Sequence, residues 1–148
     1  MVDIEIPVFS RVKSAVEERF LSDHPGLILL NDRPEIPESF PSIVLTELSN
    51  GSYVRAATND LRDRYAELTY SLDVFTLRNE GGKTLAKALA SAVDETMLSL
   101  RFTRLFLSPV PNTDRGIVRY AARYRAVAAI RDTAENEEEN LIYQMYRK

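Results

Sequence analysis

Apolar and polar residues alternate strictly along residues 65–74. Even positions from Ala66 to Val74 carry apolar side chains, whereas the odd positions carry mostly polar ones. A period of two residues is typical of a strand with one buried face. After a turn at residues 79–84, apolar residues recur every three or four positions as far as Leu100, which is the spacing of one helix face. The pattern therefore predicts a long strand, a glycine corner and a helix.

Regular patterns elsewhere predict the remaining elements. Phe9, Val12, Val16 and Phe20 recur at helical spacing, which predicts a first helix over residues 7–21. Short apolar runs predict three strands, and a second long alternation predicts a last one; these are residues 27–30, 42–48, 102–107 and 117–130. The predicted fold is α+β: a mixed, mainly antiparallel sheet of four to five strands, two main helices packed on one face and a C-terminal arm. Residues 1–132 form the single predicted domain.

Two long connections and the C-terminal segment stand apart from this pattern. Residues 49–63 are either a wide hairpin, whose arms continue through residues 53–55, or a loop with a short helical turn at residues 59–62. Residues 108–116 are rich in turn formers. Residues 133–140 read as an acidic tether, and the apolar residues 141–146 beyond it must pack on their own domain or on a neighbouring subunit.

The last predicted strand carries arginines on one face. Arg119, Arg123 and Arg125 occupy odd positions, while tyrosines and alanines occupy the even ones. If this strand pairs antiparallel with residues 64–78, the arginines stand next to Glu67 and Asp73, and opposite charges across strands stabilise such a pairing. We favour this interpretation over contact with nucleic acid, and we expect the tyrosines to pack in the core.

Composition narrows the classes of function. At 148 residues the chain is expected to be one domain. Its net charge of −3 argues against a nucleic-acid binder that works by neutralising phosphates, since such domains usually show a clear basic excess. The absence of cysteine excludes disulfides, zinc–thiolate sites and cysteine nucleophiles. The acidic N-terminus lacks the start of a signal peptide, and no apolar run approaches the length of about 20 residues that spans a bilayer. We therefore expect a cytoplasmic protein with no membrane contact.

The sequence offers two weak candidates for a phosphate-binding or catalytic site. Gly82, Lys83 and Thr84 look like the end of a phosphate-binding loop, but that motif needs a further glycine five residues earlier, where Leu77 stands. His24 is the only histidine, and it lies in a turn next to Pro25. We predict no catalytic residue, no metal site and no cofactor.

The order of several segments nevertheless resembles a known family. The segments are Phe40 to Val44, Tyr70 to Phe75, Gly81 to Lys83, Val93 to Met97, Phe102 to Arg104, Pro111 to Asp114 and Val118 to Arg125. Together they are similar to the tail terminator, or tail-completion, proteins of long-tailed bacteriophages, over about residues 5–131. The acidic tether and the apolar arm have no counterpart in this resemblance.

The resemblance implies a structural virion protein and not an enzyme. Such a subunit assembles as a ring, typically a hexamer, on the end of the tail tube, stops tube growth and presents a surface for the head-completion or neck protein. DNA passes through the lumen without specific binding, and assembly takes place in the host cytoplasm. As contact residues with other subunits or the tube we expect positions in the long loop and the arm: Tyr53, Val54, Arg55, Leu141, Ile142, Tyr143, Met145 and Tyr146.

Two alternatives stay open at this point. The first is a neck or head-completion protein of the same particle. The second, of a different class, is a small cytoplasmic enzyme or nucleotide-binding module that uses Gly82, Lys83 and Thr84.

Overall fold

The structure is a computed structural model that describes residues 2–32, 37–52, 65–130 and 140–143. Its elements follow one another as α1 (Glu5–Phe20), β1 (Ile28–Leu30), β2 (Ser42–Ser52), β3 (Tyr65–Leu77), α2 (Gly82–Ser99), β4 (Thr103–Val110), β5 (Ile117–Ile130) and β6 (Asn140–Tyr143). The predicted α+β fold is confirmed.

The strands form one open sheet in the order β1-β2-β3-β5-β4. β1 and β2 are parallel, and the other neighbouring pairs are antiparallel. The short β6 pairs with the last residues of β5, from Val127 to Ile130, and lies on the same side of β5 as β4. The sheet is therefore mixed and mainly antiparallel, as the sequence predicts.

One face of this sheet carries the hydrophobic core. The even residues of β3 and β5, among them Leu68, Leu72 and Ala122, are buried there in one cluster with residues of both helices. α1 contributes Val8, Val12 and Val16, and α2 contributes residues such as Leu89 and Val93. Burying these apolar side chains removes them from water, which is the main force that holds the two layers together.

Both helices begin earlier than the sequence pattern indicates. α1 starts at Glu5 and not at Pro7, with an acidic residue in its first turn, where a helix dipole favours negative charge. α2 starts at Gly82 and not at Leu85. Its N-cap, Gly81, has a φ of 93°, and a Cβ there would lie 3.0 Å from the Cβ of Leu85, so the corner requires glycine.

Two strands extend beyond the runs of residues from which the sequence predicts them. β2 continues through residues 49–52, which pair with residues 66–69 of β3 beyond a bulge near Leu48. β4 continues through Ser108 to Val110, and Pro109 is tolerated because β4 lies at the edge of the sheet. The pairing of residues 49–52 agrees with the wide hairpin, one of the two predicted alternatives. The predicted end of the fourth strand at residue 107 was wrong, because backbone pairing holds a strand together whatever the polarity of its side chains.

Candidate functional site

The corner between β3 and α2 is tight. Only residues 78–81 separate the two elements, and the N–H of Glu80 donates to the carbonyl of Leu77 at 3.0 Å. The hydroxyl of Thr76 donates to the carbonyl of Gly82 at 2.7 Å, which fixes the start of α2 against the sheet. The corner therefore orients α2, and it is shorter than a loop that wraps a phosphate.

A cleft opens beside this corner, at the end of the sheet where β3 ends and β5 begins. Its volume is about 620 Å³. Four cationic residues line it, and they come from four different places: Arg78 after β3, Lys83 in the first turn of α2, Arg115 in the loop after β4, and Arg119 in β5. The rest of the lining is Asn112 and five apolar residues of β4, β5 and the loop between them. We call this site the cationic cleft.

The cations of the cleft differ in their partners. The guanidinium of Arg119 donates two hydrogen bonds, of 2.9 and 2.7 Å, to one carboxylate oxygen of Asp73. The Nε of Arg78 donates to the backbone carbonyl of Arg115 at 2.8 Å, which joins the two sides of the cleft without neutralising either charge. Within the part of the chain that the structure describes, neither the Lys83 ammonium nor the Arg115 guanidinium has an ion pair.

The arginines of β5 set the register of the sheet, as predicted. Besides the Arg119–Asp73 pair, Arg125 lies 3.7 Å from Glu67, and Arg123 donates to the hydroxyl of Ser71 at 2.6 Å. β3 and β5 are antiparallel, which confirms the predicted pairing.

The tyrosines of β5 lie on the helix face and are buried, as predicted. The hydroxyl of Tyr124 donates to Asp94 of α2 at 2.8 Å, and Arg104 of β4 donates to the other oxygen of that carboxylate at 2.7 Å. Burial and the neighbouring Asp94 raise the pKa of Tyr124 above its ordinary value, so the residue stays a neutral donor. This network fastens α2 to β4 and β5.

Glu47 of β2 lies near a second buried tyrosine. The hydroxyl of Tyr70 is 3.5 Å from a carboxylate oxygen of Glu47. Burial, with smaller contributions from Glu5 and Asp3, raises the pKa of Glu47 above its ordinary value. Ionisation of Glu47 is therefore less favourable in the folded protein than in the unfolded chain.

The two outer edges of the sheet are incompletely paired among the described strands. β4 closes one side, and on the other side β1 covers only Ser42 to Val44 of β2, so no described strand pairs with the outer edge of residues 45–52. Each edge contains a bulge, and the residue at each bulge is an exposed leucine, Leu48 in β2 and Leu105 in β4. Phe106, next to Leu105, is 45% exposed and lies under the guanidinium of Arg123.

The structure places only part of the contact residues expected from the sequence. Leu141, Ile142 and Tyr143 lie in β6, which pairs with β5 of its own chain. The other five, Tyr53, Val54, Arg55, Met145 and Tyr146, lie outside the described residues. The exposed leucines at the two bulges were missed because an isolated leucine in a strand pattern looks like a core residue.

The described parts of the chain offer no candidate for a metal site or a membrane-spanning helix. Residues 2–32, 37–52, 65–130 and 140–143 contain no cluster of histidine, cysteine or acidic residues that could hold a metal ion. Neither described helix has the length and apolar character needed to cross a membrane. His24 lies half-buried in the turn after α1, where its backbone N–H donates to the carbonyl of Phe20.

No model of a known protein family matches this chain, and a search of curated proteins finds no significant match.

Proposed function

We propose that this protein is a structural subunit that assembles as a ring on the end of a bacteriophage tail tube. In this position it stops tube growth and provides the surface for head attachment. The resemblance of residues 5–131 to tail terminator proteins supports the assignment to a phage particle. The two outer edges of the sheet, with which no described strand pairs completely, support assembly into a ring. The observation that carries the proposal is the pair of exposed leucines, one on each edge.

A ring needs two different surfaces on each subunit, because each subunit contacts its neighbours head to tail. The edge at residues 45–52 and the edge at β4 lie on opposite sides of one sheet. Leu48 is 52% exposed and Leu105 is 50% exposed. An edge strand offers unpaired backbone groups to another chain, and an exposed leucine beside them adds apolar surface for the same contact.

The strand directions suit contact between these edges. β2 runs parallel to β5, and β4 runs opposite to both. If subunits follow one another around an axis with their strands in the same orientation, β4 of one subunit meets β2 of the next as an antiparallel neighbour. The two edges can therefore join without turning a subunit over, and repetition of this contact closes a ring where the rotation from one subunit to the next divides a full turn.

The test uses two variants, Leu48→Asp and Leu105→Asp, each of which places a charge on one edge only. Light scattering after size exclusion, with and without tail tube protein, measures assembly. Each variant alone is expected to lose the ring. An equimolar mixture is expected to form heterodimers, because one intact edge of each kind remains. Ile6→Asp, on an exposed residue of α1, is the control and keeps the ring.

Two outcomes contradict the proposal. The first is a wild-type protein that stays monomeric and leaves tubes uncapped in electron micrographs even when tube protein is present. The second is a ring that both aspartate variants still form. A ring that binds the head connector but not the tube would assign the protein to the neck instead.

A further inference from the structure

We propose that the cationic cleft binds phosphate groups, as a site formed by side chains rather than by a phosphate-binding loop. Arg78, Lys83, Arg115 and Arg119 converge on one cleft of about 620 Å³. Neither the ring nor the tail tube is part of this inference, which depends only on the cleft.

The charge of the cleft is largely uncompensated. Of its four cations only Arg119 has an ion pair among the described residues, with Asp73, so three positive charges remain. The acidic residues closest to these cations along the chain, Glu80 and Asp114, are not part of the lining. The carboxylate of Asp114 accepts a hydrogen bond from the backbone N–H of Gly116 at 2.8 Å. Like charges that converge without counterions repel one another, and a bound anion removes this repulsion.

The geometry of the donors favours phosphate. Arginine presents several N–H groups in a planar fork that matches phosphate oxygens, and lysine adds a compact charge. The hydrogen bond from Arg78 to the carbonyl of Arg115 uses only its Nε, so its terminal nitrogens remain as donors. A carboxylate brings one charge, whereas an oligonucleotide or a triphosphate brings enough charge to pair with all three free cations.

The apolar part of the lining strengthens this attraction. Five of the ten lining residues are apolar, among them Ile117 and Val118 at the start of β5. Apolar walls lower the local dielectric and concentrate the field of nearby charges. The overall charge of −3 describes the whole chain, while a ligand in the cleft senses the local charge.

Binding of a fluorescently labelled single-stranded oligothymidylate to the full chain tests the proposal. Fluorescence anisotropy gives the affinity at several salt concentrations. Three phosphate contacts predict that log K falls with log salt at a slope of about −2, at about 0.7 per contact for single strands. The double variant Lys83→Ala/Arg115→Ala is expected to lose at least tenfold in affinity. Arg11→Ala removes a cation from the exposed face of α1 and is expected to lose less than twofold.

Competition with unlabelled ligands distinguishes the sources of phosphate. If less ATP than unlabelled oligonucleotide is needed to displace the labelled oligothymidylate, the site binds free nucleotides. If only the unlabelled oligonucleotide displaces it, the site binds a nucleic-acid backbone. Both results support a phosphate site. An equal loss in the Arg11→Ala variant, no binding by the wild type at 50 mM salt, or tighter binding of an acidic peptide would overturn it. Circular dichroism confirms that each variant is folded.

Discussion

Two ion pairs on the same strand allow a matched test of how burial changes the energy of a charge. Arg119 and Arg125 both lie on β5, and each contacts an acidic residue of β3. In the Arg119–Asp73 pair the closest atoms are 2.7 Å apart, and the two side chains are 21% and 5% exposed. In the Arg125–Glu67 pair the distance is 3.7 Å, and the side chains are 55% and 43% exposed.

We expect Arg119→Ala to lower the free energy of unfolding by about 3 kcal/mol or more, because it leaves the carboxylate of Asp73 buried without a counterion. Loss of the contact between the guanidinium and the Phe75 ring, at 5.7 Å from the centroid, adds to this by about 0.5 to 1 kcal/mol. Arg125→Ala is expected to cost about 0 to 1 kcal/mol, because its pair is exposed and water screens it.

Urea unfolding of the two variants at the same pH and salt concentration measures both values. Raising the salt concentration should reduce the smaller effect further and leave the larger one nearly unchanged. The double variant Asp73→Ala/Arg119→Ala should lose less than the sum of its single variants, since it removes both charges. Equal losses in the two single arginine variants would refute the argument that burial sets the energy of these pairs.

Two further predictions concern the core and the pH dependence of stability. Leu89→Ala is expected to cost about 2 to 5 kcal/mol in urea unfolding, because Leu89 is fully buried in α2; a loss under about 0.5 kcal/mol would contradict its position. Glu47→Gln is expected to raise the Tm at pH 7, because the raised pKa of Glu47 makes its ionisation oppose folding. The gain should shrink as the pH falls through the folded pKa and vanish below the ordinary value of 4.5; an equal gain at about pH 3 would contradict it.

The central pairing of the sheet could be predicted because its signals are local and agree with one another. β3 alternates apolar and polar residues, and β5 alternates tyrosine with arginine. Residues that lie diagonally across the two strands carry complementary charges, as at Glu67 and Arg125. A shift of one residue would move every apolar side chain of a strand to the other face, so the alternation itself restricts the register. The sequence contains all of this information.

Strand ends and edges were harder to predict for a physical reason. The polar residues 49–52 fit a loop as well as the arm of a hairpin, and the pattern alone did not decide; they pair with β3, because ladder hydrogen bonds involve only the backbone. The proline in β4 also indicated a loop, and only the position of β4 at the edge allows it. Which strand lies at an edge depends on the whole topology, and a local pattern does not contain it.

The cationic cleft was even harder to predict from local sequence patterns than the strand ends. Its four cations are spread from Arg78 to Arg119, and no short motif joins them. They meet because Leu77 pairs with Ile117, which brings the end of β3 beside the start of β5. The predicted antiparallel pairing, extended to its last residues, would have placed Arg78 near Arg115. The net charge did not indicate this cluster, because it adds the charges of residues that lie far apart in the fold.

The proposed subunit contact and the cationic cleft can be tested independently, because they lie at different positions on the sheet. β4 belongs to both, because Leu105 lies on its exposed edge while Val110 at its other end lines the cationic cleft. If subunits join edge to edge with their strands aligned, every cleft falls on the same rim of the ring, where β3 ends and β5 begins. A charge at Leu105 would then break the ring and leave each cleft intact. Oligonucleotide binding by a Leu105→Asp monomer is therefore expected to match that of one wild-type subunit.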